Sequence, residues 1–332
     1  MSDRDTKEVT SEMEADPGAS ATAAAERRLT SIGSRPRRPS RRRRRARAPG
    51  WFLLPALVLY AFVVLVPSVR GAGYAFTDWD GLNPVKHFVG LGNFRQMWSD
   101  PAARGALRQT LIIAVAITVV QNALGLALAM GVHSLIKSRF VLRVLLFAPA
   151  VMTPVVTAAL WKYMLAPDGA INGLLDGVGL GSWQQNWLGR GDLALASVIG
   201  VIVWQFAGYS MVIFLAGLQG IPAEIHEAAA VDGAGAWQRF RRIVLPLLAP
   251  ATTINLMLSI IGGLKLFDQV WVMTAGGPGN ATETLSTLIY KNAFQFNEYG
   301  YSVAIAIVLT IFVAIISSGQ YGLLRRQERA AR

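Results

Sequence analysis

The residues able to carry chemistry are few and widely separated. Cysteine is absent, which excludes disulfides, thiolate metal sites and cysteine nucleophiles. His87, His133 and His226 lie too far apart for a local multi-histidine metal motif. His226-Glu227 starts an H-E-x-x-H pattern, but position 230 is alanine, so the zinc site is incomplete. Gly177, Gly179 and Gly181 do not complete a G-x-G-x-x-G fingerprint, because position 182 is serine and no βαβ context surrounds them. Asn280-Ala281-Thr282 matches a glycosylation sequon and reads as turn chemistry. No G-x-x-x-x-G-K-[ST] occurs, so the chain has no P-loop with which to cradle ATP. Neither clustered carboxylates nor a nucleophile with its base is evident. The expectation is no catalytic residue, no metal and no cofactor in this chain.

What remains is a set of polar side chains inside apolar stretches, and those stretches define the class. Of 332 residues, 53% are hydrophobic and 16% charged, a membrane composition. Six segments of about 20 residues suffice to cross a hydrocarbon core of about 30 Å as helices. They fall near 51–74, 109–132, 141–165, 193–218, 249–274 and 301–324. Pro55, Pro67, Pro149 and Pro154 predict kinks within them. Gln121, Asn122, Thr153, Thr157, Gln205, Tyr209, Asn255 and Ser259 are the intramembrane groups suited either to a polar solute or to interhelical hydrogen bonds. Lys265 and Asp268, three residues apart in the fifth segment, are expected on one helix face.

The formal net charge of +12 arises from one place, since eleven arginines lie between Arg27 and Arg47. Residues 1–48 read as a disordered, arginine-rich tail, 49–325 as a transmembrane domain and 326–332 as a short C-terminal tail. The arginine run sits directly before the first apolar segment and reads as a topology anchor on anionic lipid, with no nucleic-acid partner. Lys137, Arg139, Arg143, Arg239, Arg241, Arg242, Arg325, Arg326, Arg329 and Arg332 then fall on one side. Lys86, Arg95, Arg104, Arg190 and Lys291 are spread thinly over the other. The predicted fold is therefore all-α and polytopic, with six transmembrane helices and both termini cytoplasmic.

The long inner loop between helices four and five, Gly217 to Pro250, predicts a helix, a turn and a second helix across the membrane face. Pro222 and Glu224 suit a first helical turn, Ala228-Ala229-Ala230 favours helix, and Gly233 supplies a stop. Trp237 to Arg242 forms the second short helix, and Pro246 is expected to turn the chain back into the membrane. This segment reads either as a docking knob for another protein or as an interfacial helix with Trp237 and Phe240 in lipid and its arginines in headgroups.

Glu227-Ala228-Ala229, then Gly233, then Ile243-Val244-Leu245-Pro246, at this spacing resembles the EAA signature of ATP-binding-cassette importer permeases. Phe267 to Thr284, Tyr290 to Phe294, Gly90 to Phe94 and Trp204-Gln205 resemble the carbohydrate-uptake permeases within that group, the maltose and glycerol-phosphate type, over about residues 50–325. The resemblance implies a multi-pass permease of a bacterial inner membrane, the first of two related chains in a heterodimer. It implies an ABC ATPase dimer that hydrolyses the ATP, an extracytoplasmic solute-binding protein and a sugar substrate. It makes Glu227, Ala228, Ala229, Gly233, Ile243, Leu245 and Pro246 the ATPase-coupling segment. Sugar contacts in such permeases come from the helices flanking that loop, which points to Gln205, Tyr209 and Ser259. Lys265 and Asp268 then either mark an outer gate or a binding-protein contact, or Lys265 merely snorkels outward. The competing class, an independent secondary transporter or channel for a small polar solute, predicts acidic relays and an internal repeat, and neither is clear.

Overall fold

The structure is a computed structural model that describes the backbone of residues 50–133 and 138–330 and the side chains among them up to residue 322, Phe52 excepted. The predicted tail 1–48, Lys137, Arg332 and the side chains of Arg325, Arg326 and Arg329 lie outside that description. Two compact units are separated by backbone proximity, Met1–Tyr60 and Ala61–Arg332. In the first, a 3₁₀ turn at Gly50–Leu53 leads into α1 (Leu54–Tyr60), whose Leu54, Leu57 and Leu59 are exposed.

The second unit contains α2 (Val66–Gly73), α3 (Gly92–Ser99), α4 (Pro101–His133), α5 (Arg139–Val151), α6 (Pro154–Met164), α7 (Ala170–Gly177) and α8 (Gly191–Gln219). It continues with α9 (Ala223–Val231), α10 (Ala236–Leu247), α11 (Ala249–Leu264), α12 (Asp268–Thr274), α13 (Leu285–Phe294) and α14 (Tyr299–Ala330). Four helical stretches among the described residues are long and apolar enough to cross a membrane, Leu54–Phe76, Pro101–His133, Gly191–Gln219 and Tyr299–Gly322. The count rises to six if the bent pairs α5–α6 and α10–α11 each form one span.

Proline explains the departures from straight rods. The third segment is two helices, not one: α5 and α6 meet at 97°, with Pro149 inside α5 and Pro154 opening α6. A π-helical turn covers Ala61–Leu65, two residues before Pro67, and another covers Phe240–Val244, two residues before Pro246. A proline lacks the N–H for the carbonyl four residues back and its ring crowds that group, so the wider turn accommodates both defects. Pro246 therefore stays within α10 rather than turning the chain. The 69° bend into α11 follows it, at Leu248.

Helix packing is set by small residues, as expected where no water drives association. α4 lies along α8 and also packs on α11, while α14 packs on α11 and α13. A Cβ on Gly125 of α4 would sit 2.6 Å from the Ser210 Cβ of α8. One on Gly263 of α11 would sit 2.7 Å from the Ala114 Cα of α4. One on Gly208 of α8 would overlap the Leu146 carbonyl of α5.

Buried polar bonds fix the loops beyond the helix ends. Asn93 donates to the carbonyls of Ala75 and Thr77 at 2.8 and 2.9 Å, and Tyr301 donates to Asp100 at 2.9 Å. Four tryptophans outside the long helices divide: Trp98 and Trp183 are exposed, whereas Trp79 bonds the Asn83 carbonyl and Trp187 bonds Asn172. In the loop after α12, Glu283 is 2% exposed, accepts from Thr287 at 2.8 Å and pairs with Lys291 of α13.

Candidate functional site: a cavity among the spans

A cavity of about 410 Å³ opens among α4, α8, α11 and the start of α12, with the α5–α6 elbow as one wall. Gln121 comes from α4, Phe206 and Tyr209 from α8, Asn255, Ser259 and Gly262 from α11, and Lys265 to Gln269 from the connection that follows. The lining is mostly apolar, with a few amides and hydroxyls and three aromatic rings among it, as small-molecule pockets commonly are.

The polar groups hold one another in place. Gln121 donates to the Ser210 hydroxyl at 2.9 Å, and Asn255 donates to the Ser210 carbonyl at 3.2 Å. Asn122 donates to Ser259 at 2.8 Å, and Ser259 in turn donates to the Asn255 carbonyl at 2.8 Å. These bonds tie α4, α8 and α11 together behind the cavity, so several candidate groups are engaged with protein as well as facing the space. Tyr209 is 42% exposed and lines the cavity.

Gln205 is placed differently from the sequence expectation. It is fully buried and absent from the lining. Its Nε2 donates to the Met152 carbonyl at 2.9 Å, and its Oε1 accepts from Gln269 at 3.1 Å. Met152 sits in the break between α5 and α6, where helix geometry leaves the carbonyl unpaired, so Gln205 braces the elbow and aims Gln269 at the cavity. Thr153 caps α6, its hydroxyl accepting from Val156 N–H at 3.4 Å. Thr157 is buried and outside the lining.

Lys265 and Asp268 both line the cavity, but not from one helical face. α11 stops at Leu264 with Lys265 as its C-cap, and Asp268 opens the separate helix α12. No ion pair joins them among the described residues. The preceding Gly262-Gly263 pair weakens the helix, and Phe267, at φ −131° and ψ −61°, starts a new one. Gln269 and Phe267 are lining residues that sequence reasoning did not single out as contacts. The signal for Gln269 is its pairing with Gln205, which lies 64 positions away.

In the segment between α8 and α10, α9 is exposed over Glu227 and Ala228 and buries only Ala229. Gly233 takes φ +73°, and the N–H groups of Gly233 and Ala234 bond back to the carbonyls of Ala230 and Ala229. Ile243 is half-buried, and Leu245 and Pro246 are exposed on α10.

Residues 121–329 match the family profile described as binding-protein-dependent transport system inner membrane component. A probable ABC transporter permease from Pyrococcus horikoshii is 36% identical over 266 residues, covering 80% of this chain and 91% of that protein. The chain belongs to the permease subunits of binding-protein-dependent ABC importers. Within them it is of the carbohydrate-uptake group. A multiple sugar-binding transport system permease from Streptococcus mutans is 34% identical over 280 residues, covering 84% of this chain and 96% of that one. The fold is shared with the crystal structure of a bacterial ABC transporter that imports the polysaccharide alginate. That likeness has a TM-score of 0.73 at 22% identity, over 83% of this permease and 94% of that chain. The permease is thus a multi-pass, non-catalytic inner-membrane component of a binding-protein-dependent transporter.

Proposed function

We propose that this permease carries a sugar or sugar-like solute inward through the cavity among α4, α8 and α11. The observation that carries the reading is the lining itself: Gln121, Asn255, Ser259 and Gln269 offer hydrogen bonds while Phe206, Tyr209 and Phe267 offer ring faces. Hydroxyl groups of a pyranose want the first, and its axial C–H face stacks on the second. A relative named for multiple sugars supports the same substrate class. Tyr209 and Ser259 act as contacts, and Gln205 acts through Gln269. Lys265 and Asp268 also line the cavity and serve as a gate or a seat for the solute-binding protein.

The power stroke enters through α9 on the cytoplasmic side, with both termini on that side as the arginine distribution requires. Glu227, Ala228 and Ala229 form the docking helix, Gly233 stops it, and Ile243, Leu245 and Pro246 carry the chain along α10 to the bend at Leu248 that leads into α11. An ABC ATPase dimer seats against this segment and against that of a sister permease, of which this chain is the first. Closing of the ATPases then becomes a rigid-body movement of the spans. Gly233→Val tests the arrangement: a β-branched residue at positive φ costs about 1–2 kcal/mol and misdirects the turn. Assembly with the ATPase and uptake of labelled di- and monosaccharides into vesicles should both fall. Unchanged assembly and uptake would remove α9 from the coupling role.

A further inference from the structure

The two helices of the inner loop carry opposite charge and end differently. Glu224, Glu227 and Asp232 lie on or at the end of α9, which has no lysine or arginine. Arg239, Arg241 and Arg242 lie on α10, which has no aspartate or glutamate. α10 bends 69° away from α11, so when α11 spans the bilayer α10 runs along its surface rather than through it. Trp237, 70% exposed, stacks at a tilt on Phe240 with ring centroids 5.5 Å apart. Trp237, Gln238, Arg241 and Arg242 line an open cleft of about 440 Å³. Neither Arg241 nor Arg242 has an ion-pair partner among the described residues. The buried Nε of Arg239 has no hydrogen-bond partner there either.

We propose that the Trp237, Gln238, Arg241 and Arg242 cleft binds the phosphate headgroup of an anionic phospholipid. The indole lies at headgroup level with Phe240 beneath it, the two guanidinium groups clamp the phosphate, and Gln238 donates to a remaining oxygen. A surface phosphate attracts α10 and repels α9, so one loop is held to the bilayer by its basic helix and leaves its acidic helix free for protein. The assignment does not depend on which side of the membrane the loop occupies, since headgroup phosphates border both.

The full-length permease is reconstituted in nanodiscs of phosphatidylcholine alone or with phosphatidylglycerol. Hydrogen exchange is followed in peptides covering 236–247, and lipid retained after detergent extraction is read by native mass spectrometry. Phosphatidylglycerol should slow exchange in those peptides, and retention should weaken about five-fold for each of Arg241→Gln and Arg242→Gln. Replacing Arg41 to Arg45 by glutamine should leave the 236–247 protection in place, separating this site from the basic tail. Protection reproduced by inorganic phosphate in phosphatidylcholine discs would overturn a lipid site. So would protection that appears only when purified ATPase is added, or retention unchanged in the Arg241→Gln/Arg242→Gln variant.

Discussion

Gln205 accepts a hydrogen bond from Gln269 at 3.1 Å while its own amide nitrogen holds the Met152 carbonyl at 2.9 Å. One fully buried side chain thus joins α8 to the α5–α6 break and to the start of α12. Gln205→Leu leaves both partners unpaired. Membrane hydrogen bonds average about 0.6 kcal/mol each and reach about 1.7, so a loss of about 1–3 kcal/mol is expected in detergent unfolding. Gln205→Glu should retain the Gln269 bond and lose the one to Met152. A stability equal to wild type in Gln205→Leu would show that the elbow stands without it.

Adjacent glycines on α11 should respond in opposite ways. Gly263→Ala forces a methyl to 2.7 Å from the Ala114 Cα, and the helices must separate, at a cost of about 1–3 kcal/mol. Gly262 faces the cavity with nothing within 4 Å of the position a Cβ would take. Gly262→Leu should therefore fold normally, as judged by gel filtration and thermal melting, while vesicle uptake drops. Normal uptake in that variant would move the solute path elsewhere.

Tyr209 faces the cavity from α8 with a large exposed ring. Tyr209→Ala should raise the apparent KM for uptake several-fold with the melting temperature unchanged. Tyr209→Phe should keep most of the ring contribution. Equal effects of both changes would argue that the hydroxyl alone is recognised.

Glu283 is almost fully enclosed, and Lys291 neutralises it. Lys291→Met strands a buried carboxylate, a defect expected to cost about 3–5 kcal/mol. Glu283→Gln combined with Lys291→Met should recover much of that loss, because no charge is left unpaired. A double variant no better than Lys291→Met would mean that the pair serves the loop after α12 through its shape rather than its charge.

Asp78 accepts from the His87 backbone N–H at 2.7 Å and faces the His87 ring nitrogen at 3.0 Å, and both bonds hold its carboxyl below the usual 3.8. A depressed folded value means that this contribution is present above the unfolded value and is lost as pH falls below it, through the folded one. His87→Ala keeps the backbone bond, which is the larger cause, so the Asp78 midpoint should rise only part of the way in a ¹³C-carboxyl titration. Full recovery to 3.8 would assign the shift to the ring instead.

Span positions were legible because hydropathy depends on composition alone: 193–218 and 301–324 lie within a few residues of Gly191–Gln219 and Tyr299–Gly322. Pro149 and Pro154 announced a kink, but a proline frees a carbonyl without setting an angle, and the carbonyl at the 97° break is bonded by Gln205 arriving from α8. The stop at Leu264 was not legible, since glycine pairs are tolerated in membrane helices and Gly262 to Leu266 otherwise stays apolar apart from one lysine. Gln121, Tyr209, Asn255 and Ser259 were readable as polar groups in apolar segments. Which of them face space and which face one another is fixed by helix rotation, through contacts such as Gly263 on Ala114 that no local pattern encodes.

The elbow at Met152 also limits how much of a bilayer α5 could cross by itself. Thirteen residues of α5 rise only about 20 Å, short of the roughly 30 Å that hydrocarbon occupies, and α6 then leaves nearly at right angles. Beyond the break, the cavity wall carries the Gln269 amide among mostly apolar neighbours. On the proposed path, a solute at Gln269 would shed its water over less than the membrane's full width, because the break places that amide beyond the end of α5.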